Sequence, residues 1–131
     1  MIRLNVINCF FILTLLVACS SQTISDQDPD QEIILSLEQT AQAAQMAYAA
    51  LNNIGIDSVQ ILEAQQVVWS SGAVGCPRPG LSYTQALIEG YRILVSTGSD
   101  QAYYHSSRGQ KPFLCPEERR SPPIEVGHSI Y

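Results

Sequence analysis

Positive charge is scarce in this chain. Seven Lys and Arg stand against twelve Asp and Glu, a formal net charge of −5 over 131 residues. Nucleic-acid binding needs a basic footprint to displace counterions from phosphate, and this composition argues against it. The same shortage removes an electrostatic grip on anionic lipid. Histidine is limited to His105 and His128, which makes a poor zinc set with the available cysteines. The sequence contains no Gly-rich phosphate cradle, no carboxylate pair of known spacing and no metal motif, so it implies no cofactor and no metal. It shows no internal repeat. Apolar runs are short as well. The longest spans about Val6 to Val17, broken by Asn8 and Thr14, and falls below the roughly 20 residues that a membrane-spanning helix needs.

What is present begins with Leu16-Val17-Ala18-Cys19, at the end of that apolar run. Arg3 is the only charge before Asp26, and small Ala18 precedes the cysteine. A basic start, an apolar middle and a small-residue cut site are the parts of a secretory signal. The stretch resembles the lipobox of bacterial lipoproteins. That resemblance implies cleavage before Cys19 and acylation of Cys19 as the new N-terminus. The competing reading is an ordinary signal peptide with an incidental cysteine, or an uncleaved anchor. Polar Ser20-Ser21-Gln22 comes next, and Ser20 is like the outer-membrane sorting signal of many Gram-negative lipoproteins. The expected location is the cell envelope, lipid-anchored, at the outer membrane facing the periplasm if the host is Gram-negative. Residues 1–18 are then the signal peptide. Residues 19–31, rich in Ser, Gln and Asp, form a flexible tether, because such composition buries too little apolar surface to order itself.

In an oxidising compartment the remaining cysteines, Cys76 and Cys115, are expected to form a disulfide. Cys9 is discarded with the signal and Cys19 is consumed by lipid. A staple suits a domain with so limited a core.

Residues 32 to 53 read as an amphipathic helix, since Ile34, Leu37, Ala41, Ala44, Tyr48 and Leu51 recur at spacings of three and four. Gly55 is the expected left-handed cap. Asp57 to Trp69 reads as a long strand with a bulge or face switch around Glu63 to Gln66. Leu81 to Ile88 is ambiguous between a strand and one helical turn. Tyr91 to Ser96 and Gln101 to His105 form a hairpin around Thr97-Gly98-Ser99-Asp100. Phe113-Leu114-Cys115 returns toward Cys76. After Cys115 apolar periodicity is lost, and residues 116–131 read as a disordered tail. The expectation is one α+β domain over 32–115: an N-terminal helix packed on a small twisted antiparallel sheet, with one disulfide.

Trp69, the Gly75-Cys76-Pro77-Arg78-Pro79-Gly80 loop, Tyr83-Thr84-Gln85-Ala86, Gly90-Tyr91-Arg92-Ile93, Tyr104-His105 and Cys115 form a recognisable set. Over roughly residues 50–115 it resembles a family of small exported bacterial proteins with a Gly-Cys-Pro-x-Pro-Gly motif. The resemblance brings no catalytic residue with it. Family members often carry an acidic residue just after the Trp, where this chain has Ser70-Ser71.

The loop itself is stiff, because Pro77 and Pro79 fix their own backbones and hold Cys76 and Arg78 extended. Arg78 at its tip is available to an acidic partner, or to a protease cleft in which the bond into Pro79 resists cutting. The plainer reading is a rigid corner that places the disulfide. Arg78, Trp69, Tyr83, Tyr104 and His105 are the candidate binding residues. Aromatics in a small domain are more often core than platform. Tyr103 and Tyr104 are adjacent on a strand and point to opposite faces, so one of them is expected to be exposed. A general base at His105 would need a nucleophile and an orienting group, for which only Ser106, Ser107 and Glu89 are at hand. The expected function is a non-enzymatic envelope lipoprotein that holds the membrane through its lipid anchor and contacts an envelope protein. The alternatives are an inhibitor or ligand-binding module using the Cys76–Gly80 loop and, less favoured, a hydrolase using His105.

Overall fold

The structure, a computed structural model, describes residues 35–131; the expected signal peptide 1–18, Cys19 with the expected tether to residue 31, and residues 32–34 of the expected helix lie outside the described residues. Ser36 sets the start of helix α1 (Leu37–Asn52). Its hydroxyl accepts from the Gln39 amide at 3.2 Å, and the Gln39 side-chain oxygen accepts from the Ser36 amide at 2.9 Å. This reciprocal capping box satisfies two of the amides a helix start leaves unpaired. Leu35 and Ser36 are not helical, so the helix begins later than the periodicity alone implies. At the other end Asn53, not Gly55, takes the left-handed conformation, with φ 54°. Asparagine tolerates that region through its short polar side chain, and Gly55 is left extended.

The helix lies on a five-stranded antiparallel sheet of order β4-β3-β2-β1-β5. Its strands are β1 (Gln60–Trp69), β2 (Ile88–Thr97), β3 (Asp100–Ser107), β4 (Phe113–Cys115) and β5 (Glu125–Ser129). The fold is thus α+β, as the pattern implies. Leu37, Ala41, Ala44 and Tyr48 form the buried stripe of α1, packed with Ala64, Ile93, Val95 and Tyr104 of the sheet. The small alanines let the helix approach closely, and a fully buried side chain such as Ile93 contributes about 1.5–3 kcal/mol. Leu51, assigned to that stripe by its spacing, is 64 % exposed in the last turn of the helix and outside the core.

The expected face switch in β1 is real and sits slightly earlier, at Leu62. The register with β2 shifts between Ile61 and Glu63, so that Ile61 opposes Val95 and Ala64 opposes Ile93. Apolar residues on both sides of the bulge therefore reach the helix-side core, which a strict two-residue alternation would forbid. Residues 81–87 are irregular, and β2 begins at Ile88. The β2–β3 hairpin closes with Thr97 opposite Asp100, and Gly98 supplies the positive φ, 58°, of its turn.

The reading of residues 116–131 as a disordered tail is corrected. Glu117–Arg119 form a short 3-10 turn, and β5 pairs antiparallel with the free edge of β1. The Ile124 amide donates to the Val68 carbonyl at 2.9 Å, and the Ile130 amide to the Ala64 carbonyl at 3.1 Å. Edge pairing satisfies backbone groups whatever the side chains, so it leaves no apolar alternation in the sequence.

Candidate functional site

On the sheet face away from α1, the part around Trp69 and His105 is covered by loop, and Trp69 organises it. Trp69 is fully buried, and its Nε1–H donates to the Ser106 carbonyl at 3.1 Å. Its ring stacks on His105, with centroids 4.5 Å apart and planes at 27°. Phe113 meets the imidazole edge-on, with ring centroids 6.4 Å apart. His105 Nδ1 lies 2.9 Å from the Val74 carbonyl. A carbonyl only accepts, so Nδ1 carries the proton. His105 Nε2 is buried without a partner among the described residues. Burial pushes the His105 pKa down to about 4, assisted by the charges of Arg92 and Arg120 and opposed by the bond to Val74.

His105 is therefore a framework residue of this face. It exposes none of its surface, and Ser106 projects to the opposite face of β3. Glu89 is engaged with Arg108 at 3.0 Å. Trp69 is likewise framework. Tyr104, 2 % exposed, belongs to the helix-side core, where burial raises its pKa with help from Tyr48. Its neighbour Tyr103 is the partly exposed member of the pair. The Arg120 guanidinium lies 4.2 Å from the Tyr103 ring centroid and that of Arg92 lies 5.8 Å away.

The remaining candidates, Arg78 and Tyr83, do come together. The Arg78 amide donates to the Tyr83 hydroxyl at 3.0 Å, and the Leu81 amide to the Arg78 carbonyl at 3.3 Å. Pro77, Arg78, Pro79 and Gly80 are exposed. The loop is pinned at its base by the Cys76–Cys115 disulfide, whose Cα atoms are 5.7 Å apart. Just inside that pin the Gly75 carbonyl accepts from the Ser121 amide at 2.9 Å.

These ties bring the 3-10 turn after Cys115 alongside the loop. Between the two runs an open groove of about 370 Å³, walled by Pro77, Arg78 and Pro79 on one side and Glu118 to Ser121 on the other. Arg119 and Arg120 escaped the sequence reading because the run around them has no apolar pattern. The one signal that could have found them was the disulfide, which returns Pro116 and the residues after it to the neighbourhood of Pro77. A smaller depression of about 230 Å³ lies elsewhere, near Val67, Glu89, Gly90, Arg108 and Val126.

Among the described residues no three metal-ligating side chains cluster, and no helix is long and apolar enough to cross a membrane. No curated protein matches the chain, and no solved structure does. One family model matches, over residues 41–115. That span runs from the buried stripe of α1 to the second disulfide cysteine. It includes the Arg78 wall of the groove and stops short of the Arg119 wall. Covering more than half of the sequence, the match makes this chain a member of the family described as a domain of unknown function (DUF8738).

Proposed function

We propose that this protein is a non-enzymatic interaction module of the bacterial cell envelope, held at a membrane through a lipidated Cys19 and presenting the Cys76–Gly80 loop to an envelope protein. One observation carries the reading. The loop is exposed at Pro77, Arg78 and Pro79, yet fixed at its base by the disulfide and at its tip by Tyr83. A loop that is already ordered has little conformational entropy left to lose on binding, which favours recognition. A loop that only formed a corner would not need its tip latched. The lipobox-like Leu16-Val17-Ala18-Cys19 supports the address. Acylation by several chains gives stable anchoring where a single chain is marginal.

The test is crosslinking and mass spectrometry on intact envelopes, comparing wild type, Cys19→Ala and the loop variant Pro77→Ser/Arg78→Ser/Pro79→Ser. The expected result is a partner enriched by wild type, lost with the loop variant and reduced when the anchor is removed. Equal capture by wild type and the loop variant would overturn the reading. A captured protease left uncut at Arg78 would move the assignment to an inhibitor. Blocking lipoprotein signal processing should accumulate the precursor, and an unchanged mobility would remove the anchor from the proposal.

A further inference from the structure

We infer that the groove between the Cys76–Gly80 loop and the turn after Cys115 is a carboxylate-binding site, which takes an extended acidic polypeptide segment of a partner through Arg78 and Arg119. The inference deepens the proposed function and rests on the loop being the partner-facing element.

Charge placement argues it first. The chain carries only seven Lys and Arg in all, and Arg78, Arg119 and Arg120 line this one groove. Among the described residues the other arginines are occupied. Arg92 faces Glu63 at 3.7 Å, Arg108 faces Glu89 at 3.0 Å, and Arg120 faces Glu117 at 3.7 Å while lying over Tyr103. Among the described residues, Arg78 and Arg119 have no ion pair and no side-chain hydrogen bond. A guanidinium offers a planar fork of donors that matches a carboxylate.

The groove is also built in advance. Its two walls are continuous with the two cysteines of one disulfide. The Ser121–Gly75 hydrogen bond ties them a second time. Within the second wall the Arg119 amide donates to Pro116 at 3.1 Å and the Arg120 amide to Glu117 at 3.2 Å. The two guanidinium-bearing backbones thus hold their spacing without a ligand.

The groove's own carboxylates choose among anions. Glu118 lines it and Glu117 stands beside it. These repel a dense polyanion or a charged membrane plane, while leaving room for isolated carboxylates held between the arginines. A volume of about 370 Å³ accepts a few side chains of an extended segment. Pro77 and Pro79 give it an apolar flank for the intervening residues.

The test uses the full chain in detergent and a short fluorescein-labelled peptide of alternating Asp and Ser, read by anisotropy at physiological salt. The controls are the Asn-Ser analogue and vesicles containing phosphatidylglycerol. Wild type should bind the Asp peptide and not its Asn analogue. Arg78→Ala and Arg119→Ala should each weaken binding about tenfold or more, the usual effect of removing a charge-assisted hydrogen bond. Lys111→Ala, an exposed cation outside the groove, should leave binding unchanged.

Absence of peptide binding would overturn the inference. So would equal binding of the Asn analogue, or a loss with Lys111→Ala as large as with Arg119→Ala. Vesicle binding through Arg78 and Arg119 without peptide binding would assign the groove to lipid instead. If the peptide fails while envelope capture still depends on the loop, the carboxylate class is wrong and the module reading stands. If both fail, the loop is only a corner.

Discussion

A methyl group on Gly75 has nowhere to go. The residue has φ +67°, and an added Cβ would land on the six-membered ring of Trp69. Both the backbone and the packing forbid a side chain, so Gly75→Ala should destabilise the fold by about 2–4 kcal/mol. Trp69 is the chain's single tryptophan, so its fluorescence in a urea titration reads the loss directly. A change below about 1 kcal/mol would mean that the ring moves aside easily and does not organise this face. The neighbouring Val74 also holds a positive φ, 53°, which is costly for a β-branched residue. Its carbonyl is the acceptor for His105, a tie that helps hold the strained turn in place.

His105 makes stability pH-dependent. It titrates near 4 in the fold and near 6.5 when unfolded. Above the unfolded value both states are neutral, and this residue's contribution is fully present. As pH falls from about 6.5 toward 4 the unfolded chain takes up the proton first, and stability is lost, by about 3 kcal/mol over the window. His105→Gln removes the titration and retains a side-chain donor. Denaturation curves from neutral pH to pH 4 should therefore fall more steeply for wild type than for the variant. Parallel curves would show that the buried ring is not held neutral.

At the level of the element, the strands differ in what holds them. β2 and β3 bury Ile93, Val95 and Tyr104 under α1, while all five residues of β5 are exposed. The β5 register with β1 also breaks between Gln65 and Val67. Local opening is cheapest where few side chains are buried. Amide exchange in β5 should therefore be the fastest of the long strands and should precede global unfolding. Protection equal to that of β2 would show that the edge strand opens only with the whole domain.

The same difference explains what the sequence made legible. Ala41, Ala44 and Tyr48 repeat at helical spacing because they are buried by a regular partner, so the core face of α1 could be read directly. The hairpin was legible because Gly98 and its polar neighbours interrupt two apolar strands. β5 was not, because Glu125-Val126-Gly127-His128-Ser129 is held by backbone bonds to residues far away in sequence. Arg119 and Arg120 were missed for the same reason. The buried role of His105 depends on Val74 and Trp69, which only the tertiary fold brings to it.

Taken whole, the molecule has a sheet with two unequal faces. One is sealed by a helix with a continuous apolar stripe. The other is covered by irregular loop only around Trp69 and His105, and leaves Gln65, Arg92 and Tyr103 partly exposed. The disulfide closes that weaker face across 39 residues of sequence, and chain-entropy estimates put such a crosslink at about 3–4 kcal/mol. The double variant Cys76→Ala/Cys115→Ala, which leaves no free thiol at this site, should lose about that much stability in urea. Because α1 packs on the opposite face, the far-UV spectrum without denaturant should remain that of the wild type. Acidic-peptide binding should fall more than stability alone explains, because the groove walls would lose their covalent tie and keep the single Ser121–Gly75 hydrogen bond found between them among the described residues. Reducing the wild type must reproduce both effects if the missing bond, and not the new alanines, is their cause. A variant within about 1 kcal/mol of wild type that still bound the peptide would show that Trp69 and its neighbours hold this face unaided. The crosslink would then be dispensable to fold and groove alike.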